Sequence, residues 1–187
     1  MGYFSKIYGL FNKSASGQAF QSPEHVHLNQ LERRGSMRLD ARKGTNALIV
    51  DDSPTIVFAL KKMLESSGYN TLQALNAEQG IELARAEHPD IIFLDIVLPG
   101  MNGFTALRLL RRDPVTQPIP IIMMSSNEQA TEQFFGSRIG ADDFMKKPFS
   151  RLEVFARIER LLGEDLLPHR SGWDMQTAVA GRADVTG

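Results

Sequence analysis

From residue 45 onward, five short apolar runs alternate with amphipathic stretches of helical period, and this alternation constrains the fold more than any other feature of the chain. The runs are Ala47 to Val50, Thr71 to Ala74, Ile91 to Leu94, Ile119 to Met124 and Asp143 to Met145. Most are continuously apolar rather than alternating with polar residues, as expected of strands covered on both faces, so a parallel sheet flanked by helices is predicted.

The intervening stretches carry helix punctuation. Ser53 is an N-cap candidate with Pro54 at the first helical position, and Ile56, Leu60, Met63 and Leu64 form one apolar stripe before Gly68. Asn76 opens a second helix that ends at His88, ahead of Pro89. A third begins at or beside Gly103 and turns Ala106, Leu107 and Leu110 inward, and a fourth runs from Asn127 to Gly140. A fifth, capped by Ser150, places Leu152, Phe155, Ile158, Leu161 and Leu162 at helical spacing. Five βα units in about 120 residues give an α/β, flavodoxin-like, doubly wound five-stranded parallel sheet of order 2-1-3-4-5, in which ligands sit at the carboxyl ends of the strands.

Composition narrows the chemistry. The 187 residues, 42% hydrophobic and 23% charged, suit one domain with extensions. No apolar run approaches the roughly 20 residues of a membrane span, and no basic-then-apolar leader opens the chain, so a cytoplasmic location is expected. The absence of cysteine excludes disulfides, thiolate metal sites and thiol nucleophiles, leaving oxygen and nitrogen groups to act. Residues 1–44 hold seven Lys or Arg against three Asp or Glu, a net +4 that leaves −5 for the remainder of a chain whose total is −1.

Those oxygen and nitrogen groups cluster at one predicted edge. Asp51 and Asp52 follow the first strand and Asp95 the third, so three mutually repelling carboxylates converge. Mg²⁺ resolves that repulsion with one or two carboxylates, water and phosphate oxygen, and the backbone carbonyl of Val97 is a further candidate ligand. Asp95 is the candidate nucleophile, since an aspartate carboxylate forms an acyl phosphate. Ser125 follows the fourth strand and Lys147 the fifth, bringing a hydroxyl and an ammonium to neutralise phosphoryl oxygens. Pro148 invites a cis peptide after Lys147. Taken alone, Asp51 and Asp52 read equally well as a helix cap; the ordered set of acids, hydroxyl and lysine is far harder to obtain for structural reasons. Ser126 reads as backbone support, and His25 and His27 lack the acid or third ligand that a metal site requires.

The runs LIVDDSPT, FLDIVLPGMNGF, MMSS and GADDFMKKPF together resemble receiver domains of two-component response regulators over residues 45–163. Within that family the resemblance is greatest to the stand-alone, CheY-like regulators of twitching motility and chemotaxis. It implies phosphorylation of Asp95 by a histidine kinase or phosphotransfer protein, with Asp51, Asp52, Asp95 and the Val97 carbonyl at Mg²⁺. It also implies a phosphate-binding Lys147, a hydroxyl switch at Ser125 where Thr is common, and an aromatic switch at Phe144 where Tyr is common. The surface presented to a protein target is then the fourth helix, fifth strand and fifth helix, with no DNA contact. Activity is limited to self-phosphorylation and self-dephosphorylation.

The flanks divide the chain into a basic, largely flexible arm (1–44), the domain (45–163) and a flexible tail (164–187) with Trp173 as its one large anchor. In residues 3–13, Phe4, Ile7, Tyr8 and Phe11 fall at helical spacing beside Lys6 and Lys13, a pattern that docks on a partner or a membrane surface. Two alternatives accompany the main reading. A Mg²⁺-dependent phosphohydrolase with an aspartyl nucleophile usually carries a second Asp two residues on, where this chain has Val97. A phosphate-independent interaction module has no need of the full acidic set.

Overall fold

The computed structural model describes residues 41–127 and 140–170. Five parallel strands, β1 (Asn46–Val50), β2 (Asn70–Ala74), β3 (Ile91–Asp95), β4 (Ile121–Ser125) and β5 (Asp143–Lys146), form one sheet of order β2-β1-β3-β4-β5. This is the flavodoxin-like order expected from the sequence. Four helices lie among the described residues: α1 (Pro54–Glu65), α2 (Ala77–Glu87), α3 (Gly103–Arg112) and α4 (Arg151–Glu159). The predicted fourth helix falls within residues 128–139, outside the described residues, so α4 corresponds to the fifth one predicted. The amphipathic pattern of residues 3–13, the paired histidines and Trp173 also lie outside them.

Side-chain alternation along the strands divides the core in two. Leu48, Val50, Ile92, Leu94, Ile121, Met123 and Phe144 face α2 and α3, meeting Ile81, Ala84, Leu107 and Leu110. Ala47, Ile49, Ile91, Phe93, Ile122, Met124 and Met145 face α1 and α4, meeting Leu60, Leu64, Val154, Phe155 and Ile158. Each fully buried Leu, Ile or Phe contributes about 1.5–3 kcal/mol of transfer free energy, which makes these two layers the main stabilising term.

Local chemistry sets most element boundaries. Asn76 Oδ1 accepts from Gln79 N at 2.8 Å, and α2 closes at His88 in a left-handed conformation (φ 48°) just before Pro89, which disfavours continued helix. Asn102 opens α3, its Oδ1 accepting from Thr105 N at 2.9 Å. Ser53 stands at the start of α1 but makes no side-chain cap bond; Pro54 at the first helical position and Ser53 N donating to Asp51 Oδ1 set that entry. The fully buried residues of α1 are Val57, Leu60 and Leu64; Leu60 and Leu64 are those predicted, while the predicted Ile56 and Met63 are half-buried. β4 begins at Ile121 rather than Ile119, because Pro120 has no N–H to offer the ladder and Ile119 N is turned back to Thr116 O.

The chain beyond α4 departs furthest from expectation. The helix stops at Glu159 and leaves Leu152 exposed, so Leu152 is not part of the buried stripe. Residues 164–170, expected to be flexible, fold back as a strap. Leu162 bridges Pro168, His169 N donates to Leu161 O at 2.6 Å, Gly163 N to Leu167 O at 2.9 Å, and Arg42 N to Leu166 O at 3.1 Å. The strap ends in a partly buried charge cluster. Arg111 donates to Asp142 Oδ2 (2.7 Å), Ile119 O (2.8 Å) and Gly140 O (2.7 Å), while Arg170 reaches Asp142 Oδ1 (3.3 Å) and Gln117 O (3.0 Å). Burial raises the Asp142 carboxyl pKa against the pull of both guanidiniums, and lowers that of Arg111 to about 10.

Candidate functional site

All five strands run parallel, so their carboxyl ends share one edge, and the predicted site residues gather there. Asp51 directly follows β1, Asp95 ends β3, Ser125 ends β4 and Lys147 directly follows β5. Strand alternation places Asp51, Asp95 and Lys147 in the phase of Ile49, Phe93 and Met145, on the α1 and α4 side. Three residues 44 and 52 positions apart thereby meet without any local sequence relation.

The contacts are short and buried. Lys147 Nζ lies 2.6 Å from Asp51 Oδ2 and 2.8 Å from Asp95 Oδ2, with side-chain exposures of 10%, 0% and 6% respectively. Asp51 Oδ1 accepts from Ser53 N at 3.0 Å and Asp95 Oδ1 from Val97 N at 3.3 Å, so each acid is also oriented by the turn that follows it. The Asp95 carboxyl is pushed above the ordinary range, first by burial and secondarily by the Asp51 charge, while Lys147 and the Val97 amide oppose the shift.

One oxygen from each of Asp51, Asp52 and Asp95 lies within 4.8 Å of the others; Asp51 and Asp95 are buried and Asp52 is exposed. Asp51 Oδ2, fully buried, meets the lysine charge at 2.6 Å but has no aligned hydrogen-bond donor among the described residues. A buried anionic oxygen lacking a directed donor, beside two more carboxylates, fits a hard divalent cation such as Mg²⁺. Asp52, Asp95, Val97, Ser126, Lys147 and Pro148 line an open cleft of about 430 Å³, with Ser53 and Ile56 completing its wall. The Lys147–Pro148 peptide is cis. Ser125 is fully buried beneath this edge, its Oγ accepting from Asn127 N at 3.0 Å, and Phe144 is buried on the α2 and α3 side.

Sequence reasoning missed Gly103. A Cβ there would sit 2.0 Å from Asp95 O and 2.8 Å from Ile96 Cα, so the N-terminus of α3 presses on the backbone of Asp95 itself. Gly103 N also donates to Ile96 O at 2.9 Å. In the sequence Gly103 reads only as a helix start, because nothing local reveals which backbone it approaches.

The likenesses to known proteins agree with this geometry. The family model described as response regulator receiver domain matches residues 47–159. Protein PilH of Pseudomonas aeruginosa is 44% identical over 115 residues, covering 62% of this chain and 95% of that protein. The alkaline phosphatase synthesis transcriptional regulatory protein PhoP of Bacillus subtilis is 38% identical over 115 residues, and the match spans 47% of its length, about half. Among solved structures, chemotaxis protein CheY4 of Vibrio cholerae superposes with a TM-score of 0.59 at 25% identity, over 64% of this chain and 99% of that one. The receiver domain of sensor histidine kinase PA1611 from Pseudomonas aeruginosa, solved with a magnesium ion coordinated in its active-site cleft, gives 0.58 at 29% identity, over 63% and 96%. A strand order, an acidic edge and a family match that all coincide over the same residues have one common explanation: this chain belongs to the response regulator receiver domain family.

Proposed function

We propose that Asp95 accepts a phosphoryl group from a histidine kinase or phosphotransfer protein, and that the resulting charge switches a protein-binding surface. The observation that carries this reading is the Lys147 ammonium bridging Asp51 and Asp95 at 2.6 and 2.8 Å in the wall of a cleft open to a donor. Asp51, Asp52 and Asp95, with the Val97 carbonyl, would hold Mg²⁺, which when bound neutralises charge on the transferred oxygens. In the transfer, the P–N bond to a partner's imidazole breaks, a P–O bond to the Asp95 carboxylate forms, and the imidazole regains a proton from water. Lys147, already against Asp95, pairs with the phosphoryl oxygens and needs no large motion to reach them.

The acyl phosphate adds about −1.5 to −2 charges at the sheet edge. Ser125 moves toward that charge, space opens beside Phe144, and the surface formed by the predicted fourth helix, β5 and α4 changes for a downstream protein. The likeness to PilH supports a place in pilus-driven motility or chemotaxis-type signalling, and the family supports a cytoplasmic setting. Chemistry is confined to gaining and losing this one group. Incubation with radiolabelled acetyl phosphate tests the reading: Mg²⁺-dependent label that hydroxylamine removes supports it. Absence of label, or continuous hydrolysis of a generic phosphomonoester, overturns it.

A further inference from the structure

Helix α2 presses on β1 just behind the acidic edge. The helix is rooted at the carboxyl end of β2, where Asn76 Oδ1 accepts from Gln79 N at 2.8 Å and Gln79 Oε1 from Leu75 N at 3.1 Å. It then crosses to β1, and buried Gly80 lies against Val50, the residue just before Asp51. A Cβ on Gly80 would sit 2.7 Å from Val50 Cγ2 and 2.9 Å from Cγ1, closer than packed carbon atoms come. The Val50 branches have little freedom to swing clear, since Val50 is 2% exposed and a β-branched side chain is stiff at χ1. Added bulk at position 80 therefore moves the helix or the end of β1.

Movement there reaches the carboxylate. Val50 faces α2 and Asp51 the opposite side of the sheet, so a push on Val50 drives Asp51 toward Lys147. Asp51 has no room to yield. Its side chain is 0% exposed, its Oδ2 already lies 2.6 Å from Lys147 Nζ, and its N–H is tied to Ala74 O at 3.0 Å. Mg²⁺ demands near-ideal placement of its oxygen ligands, so a small displacement of one carboxylate is felt in affinity. Resting on the phospho-acceptor reading and its metal, we propose that Gly80 is a positioning residue. Lacking a side chain, it lets α2 close on Val50 and so sets where Asp51 presents its carboxylate to Mg²⁺. A glycine that served helix packing alone would alter stability and leave the folded site's affinity for the ion untouched.

Calorimetric titration of the full chain with magnesium chloride tests the proposal, in sucrose, which favours the folded state of an overpacked variant. Gly80→Ala is expected to weaken Mg²⁺ binding about tenfold, as loss of a support behind a metal ligand does. Adding Val50→Ala deletes the two methyl groups that the new Cβ meets, and is expected to return the affinity to within about threefold of wild type. Ala84→Gly, one turn further along α2, is the structural comparison: its thermal midpoint falls while its Mg²⁺ affinity holds. Wild-type Mg²⁺ affinity in Gly80→Ala, a double variant as weak as Gly80→Ala, or an equal loss in Ala84→Gly overturns the proposal and leaves the phospho-acceptor reading intact. Failure of the wild-type chain itself to bind Mg²⁺ removes that reading and the role of Gly80 with it.

Discussion

Replacing Lys147 with methionine removes the cation that bridges Asp51 and Asp95, and its consequences follow from the contacts. Asp51 and Asp95 keep side-chain exposures of only 0% and 6%, so without the ammonium they face each other as uncompensated charge. Breaking a buried pair from one side costs about 3–5 kcal/mol, a large share of the roughly 5–15 kcal/mol that holds a domain folded. The effect has a defined pH dependence. The Asp95 pKa is already raised in the folded protein by burial, and losing Lys147 removes the two strongest opposing influences, so it rises further. A carboxyl raised on folding favours the folded state below its ordinary range, and that contribution is lost as pH climbs through the raised value. The Lys147→Met chain is therefore least stable relative to wild type at neutral pH, and the gap narrows as acid protonates Asp95. Urea denaturation followed by circular dichroism, in chelator, at neutral and acidic pH measures this. Added Mg²⁺ is expected to stabilise the variant more than wild type, because Lys147 competes for the same carboxylate oxygens. Equal midpoints at neutral pH, or a gap indifferent to pH, refutes the reasoning.

Three further outcomes are expected. Gly103→Ala drives a methyl group into the carbonyl of Asp95, so it is expected to lower stability by about 1–3 kcal/mol in the same assay and to slow phosphoryl uptake even where the chain stays folded. Arg170→Ala withdraws one of two guanidiniums from buried Asp142 and a donor from Gln117 O, and is expected to cost about 1–3 kcal/mol by urea melt with no loss of phosphorylation. Tyr69→Phe deletes a buried hydroxyl that has no hydrogen-bond partner among the described residues and whose pKa is raised by burial, so its thermal midpoint is expected to equal or exceed that of wild type.

The sheet was legible in the sequence because strands covered on both faces must be continuously apolar, and its carboxyl-edge acids follow those runs directly. Asp51, Asp95 and Lys147 were recoverable from this alone: parallel strands bring their following residues together whatever their separation in sequence. Boundaries failed where a competing local interaction won. Pro120 delayed β4, and α4 gave way early to the strap. The strap itself was unreadable, since its hold depends on Arg170 meeting Asp142 and on Arg42 meeting Leu166 across long separations. The different settings of Ser125, buried, and Ser126, exposed, were likewise invisible in MMSS.

Mapping the modified residue tests the central claim most directly. The full chain is treated with acetyl phosphate and Mg²⁺, then with borohydride, which reduces an aspartyl phosphate to homoserine, and digested for peptide mass spectrometry. The account predicts homoserine at position 95, and none when Mg²⁺ is chelated. Homoserine at position 51 or 52 instead, or none under any condition, contradicts it.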